Sequence, residues 1–267
     1  MFRNLQIEWM KIRNYRVFQV FSILYMLGIV VIIYIFYKIY MDVMSEIMRL
    51  GTNDKSREAH DFLRLFTPDT IWNTVCFWTS LLLYLPGMII ISLFINEVNF
   101  KTHRQNIIDG WKRETFIYTK LGLIVCISIA VTIMNAIATM VMCRIIGIEF
   151  SLISGLDTLA LCFIQTLIYL MFALLLATFF RKSGVAIIVF FIYGLILESL
   201  LMWLFSKIYP GAQYFLPLEI ADALIPFPQM KHFYVDLPRQ PVLITGALAF
   251  LGLYIFLAVR KYKYDDL

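Results

Sequence analysis

Few residues in this chain have the types and spacing that chemistry needs, and Glu198 is the most informative of them. It stands about 14 residues into the apolar run that begins at Gly184, roughly 21 Å along a helix. An ionisable group at that depth in a membrane span faces a bundle interior, a partner or an aqueous cavity, so a functional role is one reading. The equal alternative is a protonated carboxyl, or a hydrogen bond tying two helices together. A proton-coupled carrier would show several such groups and repeated broken helices, and only Glu198 stands clearly inside a span. Other chemistry is excluded by residue type. His60, His103 and His232 fall in three different loops, which gives no metal-ligand spacing. No Gly precedes a Lys, so the chain has no phosphate-cradling loop and no ATPase site of its own. No Gly-x-Ser-x-Gly elbow occurs. Cys76, Cys126, Cys143 and Cys162 all fall in apolar runs without paired spacing and read as small buried hydrophobes. No catalytic residue, metal or cofactor is expected.

The elements that must position these residues are set by lipid. Apolar residues make up 61% of the chain and charged ones 15%, with a mean hydropathy of +0.79. Those values lie outside the soluble range. Six apolar runs are long enough to cross a hydrocarbon core of about 30 Å: residues 17–37, 71–95, 116–143, 156–180, 184–205 and 242–259. They are continuous and lack the alternation of a barrel strand, so the fold class is all-α, a polytopic membrane protein with six transmembrane helices. The first run follows charged residues and is followed by further spans, which reads as a retained span and not a cleaved signal. An even number of spans puts both termini on one side. That side carries 14 of the 23 Lys and Arg residues, so the termini are expected in the cytoplasm. The same clustering near spans argues for a membrane surface and against nucleic acid as the basic partner. Residues 1–16 form an amphipathic helix with Phe2, Leu5, Trp9 and Ile12 on one face and Arg3, Glu8, Lys11 and Arg13 on others. It is expected to lie in the inner interface, the alternative being an ordinary flank. Residues 260–267 make a cytoplasmic tail.

Loops on the other side differ in kind. The charged stretch 40–70, interrupted at Gly51, Thr52 and Asn53, predicts two short helices. The stretch 206–241 carries six of the eight prolines, which precludes one long helix but permits a short one over 218–224. Pro86 and Gly87 sit in the middle of the second run and are hinge candidates, with a static kink as the plainer reading.

The segment between the second and third runs is too polar for lipid and too short to fold alone. Thr102 to Asp109 can make two helical turns closed by Gly110, and Arg113 to Lys120 can restart a helix. Ile107, Ile108 and Trp111 gather at its tip between charges, which suits docking on a soluble partner or lying flat on headgroups.

With its amphipathic opening from Ile7 to Arg13, a second span running into Glu97, a polar helix ending at Ile108-Asp109-Gly110, and Leu216-Pro217-Leu218-Glu219 before the last span, the chain resembles the bacterial ABC-2 type permease family. Where that family usually has a Gly-Thr-Leu-Glu-like run, this chain has Lys101-Thr102-His103-Arg104. The resemblance implies a multi-pass subunit of the bacterial cytoplasmic (inner) membrane, working with a second permease copy and a separately encoded dimeric ABC ATPase to export a substrate. It assigns ATPase coupling to Glu97, Thr102, Arg104, Ile107, Ile108, Asp109, Gly110, Trp111 and Arg113. An ion-gradient-driven secondary transporter or channel, a membrane-embedded enzyme, and a non-transporting assembly or immunity factor remain as alternatives.

Overall fold

In lipid the backbone must satisfy its own hydrogen bonds, and the chain does so with helices. The computed structural model describes residues 2–50, 62–100, 113–149, 151–180, 182–228, 234 and 236–264. Among them no strand occurs. The elements are α1 (Phe2–Arg13), α2 (Arg16–Leu50), α3 (Ile71–Ser80), α4 (Tyr84–Asn99), α5 (Arg113–Ile146), α6 (Leu152–Phe179), α7 (Ser183–Ile192), α8 (Glu198–Ile208), α9 (Glu219–Asp222) and α10 (Gln240–Tyr264). A 3₁₀ turn, Leu81–Leu83, joins α3 and α4 into one span, and a π turn, Tyr193–Leu197, does the same for α7 and α8. Six helical stretches are therefore long and apolar enough to cross a membrane: 16–49, 71–99, 115–146, 153–179, 183–208 and 240–263. The chain is a multi-pass membrane protein.

The second and fourth spans form the core, with 67% of the apolar window of each buried inside the chain, against 17% for the first and fifth. Helix α6 is the hub, packed by α3, α4, α5 and α10. Close approach of α3 to α6 depends on Gly155, whose missing side chain leaves room for the indole of Trp72, itself 1% exposed. Polar contacts fix the register inside the bundle, where the alternative for a polar group is hydrocarbon. Tyr25 donates to Asn135 Oδ1 at 3.3 Å, and Asn135 Nδ2 to Cys162 Sγ at 3.0 Å, which links the first, third and fourth spans. Cys76, Cys143 and Cys162 are buried as expected of small hydrophobes, whereas Cys126 is exposed on the outside of the bundle.

Three local features have physical causes. Helix α2 does not stop near residue 37 but runs unbroken to Leu50, because no Gly or Pro stands between residues 37 and 50 and Glu46–Arg49 and Ser45–Asp42 contacts support its last turns. The first of the two short helices expected over 40–70 is thus part of α2, and residues 51–61 lie outside the described set. Pro86 leaves the carbonyl one turn before it without a donor, and the 3₁₀ turn Leu81–Leu83 sits at that place. Gly87 is a packing glycine: a Cβ there would lie 2.5 Å from Cε1 of Phe190 on α7.

Candidate functional site

The polar hairpin between the second and third spans hangs from two helices whose apolar runs end unevenly. Helix α4 continues about three turns past its mid-span Pro-Gly and delivers Glu97 near its end, while α5 starts at Arg113 and carries Lys120 about two turns in, after Phe116 and Ile117 are already buried. The antiparallel pair brings the two charges together. Lys120 Nζ donates to Glu97 Oε1 at 2.7 Å. On its other side it donates to Glu8 Oε2 of α1 at 2.5 Å. The three side chains are 3%, 13% and 1% exposed respectively, so this is a buried ion cluster. Lys11, one turn along α1 and partly exposed, adds a contact to Glu8 Oε1 at 3.4 Å, so two cations face two carboxylates.

Aromatic packing extends the cluster to the last span. Lys120 Nζ sits 5.1 Å from the Phe116 ring centroid, and that ring stacks on Tyr262 of α10 at 5.2 Å and 19°. Phe94 of α4 packs on both rings at 6.0 and 6.1 Å. Helices α1, α4, α5 and α10 thus meet at one end of the bundle, the end that holds both termini and both limbs of the hairpin.

Of the residues that the sequence assigned to coupling, Glu97 is in this cluster. Arg113 begins α5. Thr102, Arg104, Ile107, Ile108, Asp109, Gly110 and Trp111 lie outside the described residues. Glu8 and Lys120 were not assigned. A Lys inside a predicted apolar run was the available signal, since such a charge needs a counter-ion. The amphipathic reading of α1 also changes: Glu8 and Ile12 point into the bundle, at 0% and 1% exposure, while Trp9 points outward at 51% and meets Phe18 edge-on. The counter-charge for Lys120 decides which face of α1 is buried.

At the opposite end, Glu198 answers the question that the sequence left open. It follows the π turn and is 3% exposed. Its Oε1 accepts the backbone N–H groups of Leu218 and Glu219 at 2.6 and 2.8 Å, capping the short helix α9. That helix overlaps the one expected over 218–224. Asp222, at its far end, accepts Gln165 Nε2 at 2.8 Å and the Tyr169 hydroxyl at 2.8 Å, both from α6. Tyr254 of α10 donates to the Pro217 carbonyl at 2.9 Å. The proline-rich segment is thereby pinned to α6, α8 and α10. Burial pushes the Asp222 carboxyl up to about 6, against the hydrogen bonds from Gln165 and Tyr169 that hold it down. Burial, then the Asp222 and Glu198 charges, push Glu219 up to about 9. Among the described residues no group of His, Cys, Asp and Glu is arranged to hold a metal ion.

Residues 55–267 match a family profile described as a protein of unknown function (DUF2705), a stretch that includes Glu97, Lys120 and Glu198 but not α1. No curated protein matches the chain.

Proposed function

The chain belongs to that DUF2705 family, and we propose that it is the permease subunit of an ATP-driven exporter of the ABC-2 type, with a separately encoded ATPase and a second permease copy as partners. Its termini and the 101–112 segment face the cytoplasm of a bacterial cell, and the six helices lie in the cytoplasmic membrane.

The observation that carries this reading is the buried cluster Glu8–Lys120–Glu97. A hairpin with free limbs would absorb a push from a partner by bending. Here the ion cluster closes the base of the hairpin and joins it to α1 and, through Phe116 and Tyr262, to α10. Force applied to residues 102–111 by a closing ATPase pair would move α4 and α5 as rigid rods, together with the two terminal helices. The outward Trp9 supports α1 lying at the headgroup level. Glu198 is engaged in capping α9, which favours a structural role for it over ion carriage.

The test is co-purification from native membranes in mild detergent. The expected result is a stoichiometric ATPase subunit with the parent chain, lost when Ile107, Ile108 and Trp111 are all replaced by Glu while the thermal unfolding midpoint is retained. Unchanged ATPase binding and unchanged ATP-driven transport in that variant would remove the hairpin from the proposal. A chain that moves its substrate on an ion gradient alone, without nucleotide or second subunit, would replace the exporter reading with the secondary-transporter one.

A further inference from the structure

At the end of the bundle away from the termini, a cavity of about 530 Å³ opens between the first turns of the second, fourth and sixth spans and the proline-rich segment. Its size is that of sites that hold small ligands, about 300–1,000 Å³. Two carboxylates, one from each of two packed segments, are in its lining. Asp69 lies two residues before α3, and Asp157 is in the second turn of α6. Neither has a salt bridge or a side-chain hydrogen bond among the described residues, and the described residues of the lining include no Lys, Arg or His. Asn73 and Thr158 are joined at 2.8 Å between them and carry further polar capacity. The floor is apolar: Leu161 lies one turn deeper than Asp157, with Leu243 and Pro226 beside it.

This arrangement selects a ligand. Two like charges in the lining of one cavity raise the local concentration of cations and repel anions. An apolar floor one turn below them rejects a fully hydrated ion and accepts a hydrocarbon body. The level of the site, at the boundary between charged loop and apolar span on three helices, is where an amphiphile carries its polar head. From these observations we infer that the cavity is a binding site for an amphiphilic primary amine, its ammonium between Asp69 and Asp157 and its apolar body on Leu161 and Leu243. Aminolipid headgroups and free amphiphilic amines share that chemistry. The inference stands apart from the coupling proposal, because binding requires neither ATP nor a second subunit.

The experiment uses the full chain in nanodiscs of phosphatidylcholine, titrated with dansylcadaverine, a primary alkylammonium on an apolar fluorophore, and with its N-acetylated form. The expected result is saturable binding, absent from empty discs, with the acetylated form at least about tenfold weaker. Asp69→Asn and Asp157→Asn should each weaken binding by about fivefold, since an exposed ion pair contributes up to about 1 kcal/mol. Both side chains are exposed, so these variants leave the fold in place. Leu161→Trp, which fills the floor, should abolish binding, with thermal unfolding as the check on its fold. Competition by added phosphatidylethanolamine would identify the lipid headgroup as the source of the amine, and lack of competition would identify a free amphiphile. Equal binding of the acetylated probe, parent affinity in the double Asn variant, or no saturable binding at all would overturn the site.

Discussion

Replacing Lys120 by Met removes the one cation that Glu8 and Glu97 share and keeps most of its aliphatic volume. At an effective dielectric of about 20, contacts of 2.5 and 2.7 Å are each worth roughly 6 kcal/mol of attraction. The two accepting oxygens lie at most about 5.2 Å apart by those contacts and repel by roughly 3 kcal/mol. Desolvation of three ions offsets most of the gross attraction, so the intact cluster contributes little net stability. Removing only the cation is different, because two buried anions then face each other. The expected loss is about 3–5 kcal/mol of unfolding free energy, towards the lower end because Glu97 at 13% exposure can draw in water. Adding Glu8→Gln and Glu97→Gln to Lys120→Met should restore stability to within about 1–2 kcal/mol of the parent, since the three buried charges are then gone together and Lys11, which loses Glu8, is partly exposed to solvent. The assay is unfolding by dodecyl sulfate titration in mixed micelles. If Lys120→Met costs under about 1 kcal/mol, or the triple variant is as unstable as the single one, the cluster does not hold the hairpin as argued.

Gly155→Ala places a methyl group in the ring of Trp72 and should destabilise by about 1–3 kcal/mol, measured in the same titration; a neutral result would mean that α3 and α6 slide apart freely. Glu198→Leu orphans two buried N–H groups at about 1–3 kcal/mol each, whereas Glu198→Gln keeps an acceptor, so hydrogen exchange at Leu218 and Glu219 should speed up far more in the first; equal rates would sink the capping role. Asp222 and Glu219 hold protons in the folded chain that the unfolded chain has released, so stability is full below about pH 4 and falls as pH rises. The fall ends near pH 6 for Asp222 and pH 9 for Glu219. A thermal midpoint that decreases from pH 6 to pH 9, and flattens in Glu219→Gln, is the expected result; a midpoint that rises over that window would reverse the assignment.

The six spans were legible because hydrocarbon accepts one solution to backbone hydrogen bonding, and run length alone then identifies it. Span ends were less so. Helix α2 extends past its apolar run because residues 41–50, a mixture of apolar and charged side chains, have no Gly or Pro among them, and a span-length criterion carries no information on that. Glu97 was legible as the end of a run, but its partners were not, since contact between residues 8, 97 and 120 depends on three helices meeting. The π turn before Glu198 left no mark in the sequence. Its effect is to rotate Glu198 relative to α7, and the carboxylate then reaches α9. For Glu198 the sequence offered function and helix-tying on equal terms, and the two backbone hydrogen bonds to Leu218 and Glu219 are a contact of the second kind.

The two ends of the bundle solve the burial of charge in different ways, and the difference bears on motion. At Glu198 a carboxylate is satisfied by backbone N–H groups of a neighbouring turn, a geometry that only one register of α9 can supply. At Lys120 the partners are long side chains, which can follow one another through small displacements without breaking contact. An apolar replacement of equal volume could hold α1, α4 and α5 together as firmly, but it would let them slide, because dispersion contacts are non-directional. The stabilised triple variant Glu8→Gln/Glu97→Gln/Lys120→Met therefore separates holding from coupling. If the cluster transmits displacement, that variant remains folded and still recruits its ATPase through the hairpin, yet ATP-driven transport falls. Parent-level transport in a variant with no charge left in the cluster would show that packing alone carries the movement, and the ion cluster would be reduced to a fastening.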